Sequence, residues 1–158
     1  MTGEAGNRLT AGGSRPSPRA GRLVNAMTVD VEDYFQVEAL SACFPHSHWD
    51  AVACRVEGNV DRLLALFEAT GVRATFFVLG WIAERYPGLI RRIVAAGHEV
   101  GSHGCNHVRA DRQEPAQFKE DLRKSKRLLE DLTGRAVTGY RAPSFSIGRS
   151  NLWAFEAL

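Results

Sequence analysis

The stretch GSHGCNHV, residues 101–108, contains two of the five histidines in the sequence, with three residues between them. A separation of four positions directs both imidazole rings toward one point if the backbone makes about one turn. Neutral imidazole is a common ligand of divalent metal ions, and two imidazoles supply half of a tetrahedral site. His103 and His107 therefore predict a metal site. The alternative is a pair of loop histidines that bind backbone groups.

A second group of polar residues is the acidic run DVED at residues 30–33. Side chains alternate along an extended chain, so Asp30 and Glu32 are expected on one side and Val31 and Asp33 on the other. A metal ion held by one carboxylate and two histidines keeps positions open for water and substrate. The other carboxylate could accept a proton from that water. The alternative is an acidic turn or an N-cap for a helix that begins near residue 34.

The segment RAPS, residues 141–144, follows a predicted strand. Arg141 could hold a catalytic carboxylate in its ionised form or bind an anionic substrate, and the backbone N–H of Ser144 could face an oxyanion. The alternative for Arg141 is a surface arginine before a tight turn. Cys105 is better explained as a small buried side chain than as a ligand or nucleophile.

Other polar and aromatic residues give weaker signals. We interpret His46 and His48 as mainly structural, with substrate contact as the lesser alternative. Four aromatic residues could stack on a sugar ring or fill the core: Tyr34, Phe35, Trp49 and Trp81.

Strands and helices alternate along the chain. Short apolar or β-branched runs predict strands at residues 23–31, 73–79, 98–102 and 136–140. Helical spacing of apolar residues predicts helices at 59–70, with Asn59 as N-cap, and at 87–96 and 114–133, each followed by glycine. This order predicts an α/β fold with a parallel sheet, in which sites gather at the carboxyl ends of strands. All three polar clusters follow such an end.

The composition limits the classes of function. A chain of 158 residues fits one domain, and a net charge of +2, with four arginines in the first 22 residues, gives no nucleic-acid footprint. Three cysteines without C-x-x-C spacing favour a reducing compartment. Residues 1–22 are interpreted as a disordered tail rich in Gly, Ser, Pro and Arg. The absence of a signal peptide and of an apolar run of ~20 residues predicts a cytoplasmic protein without a transmembrane segment. The oligomeric state is left open.

The end of the sequence suggests a truncated domain. Residues 150–158, SNLWAFEAL, have apolar residues at helical spacing and lack a helix stop signal. Four predicted strands cannot close a barrel and would leave one parallel edge exposed.

In chain order, TVDVED, ATFFVLG, GHEVGSHGCNH and YRAPS resemble the NodB-type polysaccharide deacetylases of carbohydrate esterase family 4, over about residues 24–158. The stretches ATFFVLGWIAERYP and GYRAPSFSI further resemble the subgroup found with exopolysaccharide loci of the exosortase and PEP-CTERM type. The resemblance implies a distorted (β/α) barrel, here truncated at its C-terminus. It also implies removal of acetyl groups from N-acetylated polysaccharides with a divalent metal, usually Zn²⁺.

The resemblance also implies roles for individual residues. Asp30 matches the catalytic base, His103 and His107 match two metal ligands, and Arg141 matches the residue that orients the base. The family has a metal-binding aspartate directly after the base, where this chain has Val31. Glu32 is therefore the expected third ligand, with Asp33 as the alternative.

The family's general acid is a later histidine that would lie beyond residue 158, so the fragment is expected to be weakly active or inactive. Two other functions stay open. One is a carbohydrate-binding domain of the same fold that has lost catalysis, and the other is a metal-dependent amidase that acts on a non-sugar amide.

Overall fold

Three parallel strands form the sheet in the described part of the chain. The computed structural model describes residues 25–158, so the predicted tail at 1–22 lies outside the described residues. The strands β1 (Met27–Val31), β2 (Ala74–Val78) and β3 (Glu99–Ser102) lie in the order β1-β2-β3. In their register Asp30 pairs with Phe77, and Val78 pairs with Ser102. The predicted α/β fold with a parallel sheet is confirmed.

Four α-helices accompany the sheet in the described part of the chain. They are α1 (Val56–Thr70), α2 (Gly80–Arg85), α3 (Pro87–Ala95) and α4 (Pro115–Thr133). Three were predicted, and the six-residue α2 is an addition. Short 3-10 turns complete the structure at Tyr34–Gln36, Glu38–Leu40, His46–Ala51, Ala110–Arg112, Pro143–Phe145 and Leu152–Glu156. Within residues 25–158 no helix has the length and apolar composition of a membrane span.

The start of α1 differs from the prediction. Asn59 lies inside the helix, and Arg55 is the N-cap. The reason is a distant carboxylate: Asp33 Oδ2 accepts hydrogen bonds from the Arg55 N–H and, at 2.9 Å, from the Val56 N–H. These are two of the donors that a helix start leaves without an intrahelical partner. The end of α1 is as predicted, because Gly71 terminates the helix with a φ of 66°.

The predicted fourth strand at residues 136–140 is wrong. The segment makes a single parallel bridge, Ser102 to Tyr140. The cause is α4, which binds the first part of the segment: the Val137 N–H donates to Glu130 Oε1 at 2.9 Å, and Lys126 Nζ donates to the Val137 carbonyl at 2.6 Å. Both backbone polar groups of Val137 are therefore used by the helix rather than by β3.

The final segment is also different from the helix that its apolar spacing suggests. Residues 152–156 form a 3-10 turn with Asn151 as N-cap. The Asn151 side chain ties the preceding loop, since it accepts from the Gly148 N–H at 2.7 Å and donates to the Ser146 carbonyl at 2.9 Å.

The core lies between the sheet and the helices and extends into an aromatic cluster. Phe35, Trp49 and Trp81 are all buried, with ring centroids 5.7 to 5.9 Å apart in edge-to-face arrangements. His46 packs on Trp49 with its ring centroid at 4.5 Å. Phe35, Trp49 and Trp81 thus agree with the interpretation of the aromatic residues as core, and His46 agrees with a structural role. Tyr34, in contrast, is 37% exposed.

Candidate metal centre

Glu32, His103 and His107 converge on one point. One ligand atom from each residue lies within 4.8 Å of the others. Glu32 Oε2 is 3.0 Å from His107 Nε2 and 3.8 Å from His103 Nε2. The two histidines are buried, and the Glu32 side chain is 19% exposed. The described residues thus contain one group that could hold a metal ion.

The carboxyl ends of two strands position these ligands. Glu32 directly follows β1 and His103 directly follows β3, on either side of β2. The His103 N–H donates to the Val78 carbonyl at 2.9 Å, which fixes the end of β3 against β2. The chain then turns back to bring in His107, whose φ of 53° lies in the left-handed region.

The hydrogen bond of the second ring nitrogen sets the tautomer of His103. Its Nδ1 lies 2.8 Å from the Arg141 carbonyl oxygen, which can only accept, so Nδ1 carries the hydrogen. The lone pair is then on Nε2, the nitrogen nearest Glu32. Burial lowers the pKa of His103, although the Arg141 carbonyl and the charges of Asp30 and Glu32 oppose this shift. A neutral imidazole is the form that binds metal ions.

Glu32 Oε2 is a buried acceptor that receives no hydrogen bond from the described residues. Its 3.0 Å separation from His107 Nε2 satisfies the distance for an ion pair but not the geometry of a hydrogen bond. A buried carboxylate oxygen without a donor is costly, and a cation between the three side chains would remove that cost. The donor set therefore fits a divalent metal ion with open positions left for other ligands.

Asp33, the alternative third ligand, lies elsewhere and is used as a cap. Its Oδ1 accepts from the Tyr34 N–H at 2.9 Å, and its Oδ2 accepts from the Arg55 and Val56 amides. Both carboxylate oxygens are thus occupied by backbone donors. The structure brings Glu32, not Asp33, to the two histidines.

Asp30 and Arg141 form an ion pair beside this centre. Arg141 Nη1 donates to Asp30 Oδ1 at 2.6 Å, and Nη2 donates to Thr28 Oγ1 at 2.8 Å. The guanidinium carbon lies 4.3 Å from the centroid of the Phe77 ring. The Asp30 side chain remains 28% exposed, so the carboxylate is held in place and still accessible from solvent.

Sequence reasoning missed Thr28 and Phe77 as partners of Arg141. Thr28 could have been found, because the alternation that pairs Asp30 with Glu32 also places residue 28 on that side of β1. Phe77 is paired with Asp30 in the neighbouring strand, which no local pattern reveals.

The turn that follows Arg141 is strained. Ser144 and Phe145 have φ values of 53° and 51°, in a region that side chains other than glycine rarely adopt. The Phe145 and Ser146 amides donate to the Ala142 and Pro143 carbonyls. Among the described residues the Ser144 N–H has no such acceptor, which leaves this donor available.

Cys105 lies between the two histidines but faces the other way. Its thiol donates to the Asp121 carbonyl oxygen at 3.6 Å, toward α4. Burial raises the pKa of the thiol to about 12, so the group is neutral at ordinary pH. This supports the interpretation of Cys105 as a buried filler rather than a ligand or nucleophile.

Known proteins are similar to this chain in sequence and in fold. A peptidoglycan deacetylase from Helicobacter pylori is 42% identical over 87 residues, which cover 55% of this chain and 30% of that protein. A chitooligosaccharide deacetylase from Bradyrhizobium is 34% identical over 86 residues, or 54% of this chain and 39% of that protein. A solved structure assigned to the polysaccharide deacetylases of Mycobacterium smegmatis is 30% identical, with a TM-score of 0.66, and covers 82% of this chain and 46% of that one.

The chain thus spans less than half the length of these relatives. Residues 46–158, well over half of the chain, match the family model described as polysaccharide deacetylase. Asp30 and Glu32 precede the matched residues, so their place in the site rests on the geometry alone. On this match and on the shared fold, the chain belongs to the polysaccharide deacetylase family.

Proposed function

We propose that this chain carries the metal-binding and proton-accepting part of an enzyme that hydrolyses the N-acetyl group of an N-acetylated sugar in a polysaccharide and releases acetate. The observation that carries the proposal is the Glu32, His103 and His107 cluster beside the Asp30 carboxylate that Arg141 holds. The relatives named above act on peptidoglycan and chitooligosaccharides, both of which belong to this class of substrate.

Zn²⁺ is the proposed metal, because one carboxylate oxygen and two imidazole nitrogens form a typical catalytic zinc set. When bound, such an ion polarises a carbonyl group and lowers the pKa of a coordinated water toward neutrality. The Nδ1 hydrogen bond to the Arg141 carbonyl keeps His103 oriented for this role.

Asp30 is the proposed general base. Arg141 occupies Oδ1, and among the described residues no donor occupies the other oxygen, which can accept a proton from the attacking water. The Ser144 N–H is the proposed donor to the oxyanion that develops on the acetamide. Departure of the amine also needs a proton, and we assign no donor for it within residues 25–158.

We further propose that the enzyme belongs to the subgroup associated with exosortase and PEP-CTERM loci and that its polymer is an exopolysaccharide. The support is the sequence of two segments that border the site, ATFFVLGWIAERYP and GYRAPSFSI. The first contains β2 and α2, and the second contains Arg141 and the strained turn.

The test measures zinc content and acetate release together on the full-length wild type and on its His103→Ala variant, with His48→Ala as the matched control because His48 is exposed and is not among the clustered ligands. Substrates are an N-acetylated chitooligosaccharide, peptidoglycan and, for the amidase alternative, a ureide. Zinc bound by the wild type and the control but lost in His103→Ala, with acetate released from the sugars and the ureide left unhydrolysed, supports the proposal. A ureide contains no acetyl group, so its disappearance is followed directly. Sugar binding without acetate release by the zinc-loaded full-length protein would instead indicate a carbohydrate-binding domain.

A further inference from the structure

The loop between the two histidines is held from one side by the start of α2. The Gly80 N–H donates to the Gly104 carbonyl at 2.8 Å, and the Trp81 N–H donates to the Cys105 carbonyl at 3.0 Å. A Cβ added to Gly80 would lie 3.1 Å from Cys105 Cα, so the two backbones are in close contact. This contact fixes the carbonyl groups of the loop.

Asp121 of α4 binds a backbone N–H group of the same loop. Its two carboxylate oxygens lie 3.2 and 3.1 Å from the Cys105 nitrogen, which donates to them. A Cβ added to Gly104 would lie 2.8 Å from Asp121 Oδ2, which shows how closely the carboxylate packs on the loop. The peptide groups around Cys105 are therefore clamped between α2 and α4.

This clamp acts on a loop with two left-handed residues, of which His107, as a residue other than glycine, is strained. Gly104 and His107 have φ values of 76° and 53°. A residue other than glycine rarely adopts this region and persists there only where its surroundings impose the conformation. Cys105 is two residues from each histidine. A contact that fixes its N–H therefore restricts the backbone that carries both imidazole rings.

We propose that Asp121 is a positioning residue of the metal centre: by binding the Cys105 N–H it holds the loop in the conformation that directs His103 and His107 toward Glu32. Asp121 does not itself bind the metal. The inference rests on the proposed metal site and deepens it. Outer contacts of this kind change metal affinity about 10–100-fold when they are removed.

Two variants separate the hydrogen bond from the charge. Asp121→Ala removes both acceptor oxygens, whereas Asp121→Asn keeps one acceptor and the side-chain shape. We expect the zinc dissociation constant to rise about 10–100-fold in Asp121→Ala and to stay within about threefold of the wild type in Asp121→Asn. Asp131→Ala is the control, because Asp131 is an exposed aspartate on the same helix. The measurement is a competition titration with a chelator on variants whose far-ultraviolet circular dichroism matches the wild type.

A measurement on the metal-free wild type needs no variant. If Asp121 holds the loop before metal binds, hydrogen exchange at the Cys105 amide is protected to the same degree as in the sheet. Exchange at the rate of an exposed amide would overturn the proposal, even if Asp121→Ala failed to fold. Wild-type zinc affinity in folded Asp121→Ala would overturn it as well. If His103→Ala bound zinc as tightly as the wild type, the proposed metal site itself would be overturned, which is a distinct result.

Discussion

Arg141 contacts Asp30 through its side chain and His103 through its backbone. The guanidinium donates to Asp30 Oδ1 at 2.6 Å, and the carbonyl of the same residue lies 2.8 Å from His103 Nδ1. Asp30 and Arg141 are 111 positions apart in the chain. One residue therefore sets the position of the proposed base and the orientation of a proposed metal ligand. Because the two contacts use different parts of Arg141, they can be separated by mutation.

Asp30→Asn is expected to lower acetate release by about 10²–10⁴-fold, because an amide cannot accept the proton from water. Zinc content should be unchanged, since Asp30 is not among the clustered ligands. The check is a rate assay beside metal analysis, with Asp131→Asn as a surface control. A normal rate in a zinc-loaded Asp30→Asn protein would remove Asp30 from this role.

Arg141→Lys is expected to lower kcat about 100-fold with little change in KM. A lysine has one nitrogen in place of the planar fork that contacts Asp30 through Nη1 and Thr28 through Nη2, so it cannot reproduce both contacts in this geometry. The carboxylate then shifts, and small displacements of a catalytic group have effects of this size. Zinc affinity should be retained, because the hydrogen bond to His103 comes from the backbone. Loss of zinc from Arg141→Lys would contradict this separation of the two contacts.

Glu32→Gln and Asp33→Ala are expected to affect different properties, zinc binding in the first variant and stability in the second. Glu32→Gln should weaken zinc binding without lowering the free energy of unfolding, because Glu32 Oε2 makes no hydrogen bond with the described residues. Asp33→Ala should lower the free energy of unfolding by about 1–2 kcal/mol, because the amides of Arg55 and Val56 lose their cap. Zinc titration and denaturant unfolding of both variants distinguish them. A stable Asp33→Ala protein that has lost zinc would make Asp33 the ligand.

The sequence predicted those parts of the fold that depend on local patterns. Helical spacing located α3 and α4, and the glycine after α1 marked its end, because these features are decided within a few residues. The start of α1 depends on Asp33, 23 positions from Val56, and this long-range cap is invisible to a local rule. The strand predicted at 136–140 had suitable residues, but α4 binds both backbone polar groups of Val137, which leaves only the bridge near Tyr140 to β3.

The candidate site was predictable to the extent that it follows strand geometry. Alternation along β1 placed Asp30 and Glu32 on one side, and the carboxyl ends of parallel strands brought Glu32 to His103. The contact of Asp121 with Cys105 could not be predicted, because it depends on how α4 packs against a loop 16 positions away. The left-handed conformation of His107 was equally hidden, since no glycine marks that position.

The Cys105 thiol should react much more slowly than the thiol of Cys43, which is exposed. The thiolate is the reactive form, and burial raises the pKa of the Cys105 thiol to about 12, so little thiolate exists at pH 8. Treatment of the native protein with iodoacetamide, followed by mass spectrometry, should modify Cys43 at least tenfold faster than Cys105. Equal rates would show that the loop opens readily, contrary to the clamp between α2 and α4.

The raised pKa of the Cys105 thiol also predicts that the free energy of unfolding depends on pH. In the unfolded chain Cys105 ionises near its ordinary pKa of 9.0, whereas in the fold it stays neutral until about pH 12. Between these values the unfolded state has lost a proton that the folded state keeps, so the contribution of Cys105 to the free energy of unfolding decreases as the pH rises. Cys105→Ala removes this group, and its free energy of unfolding should therefore fall less steeply above pH 9 than that of the wild type. Parallel curves would mean that the thiol ionises equally easily in both states, which would place it in solvent rather than against α4.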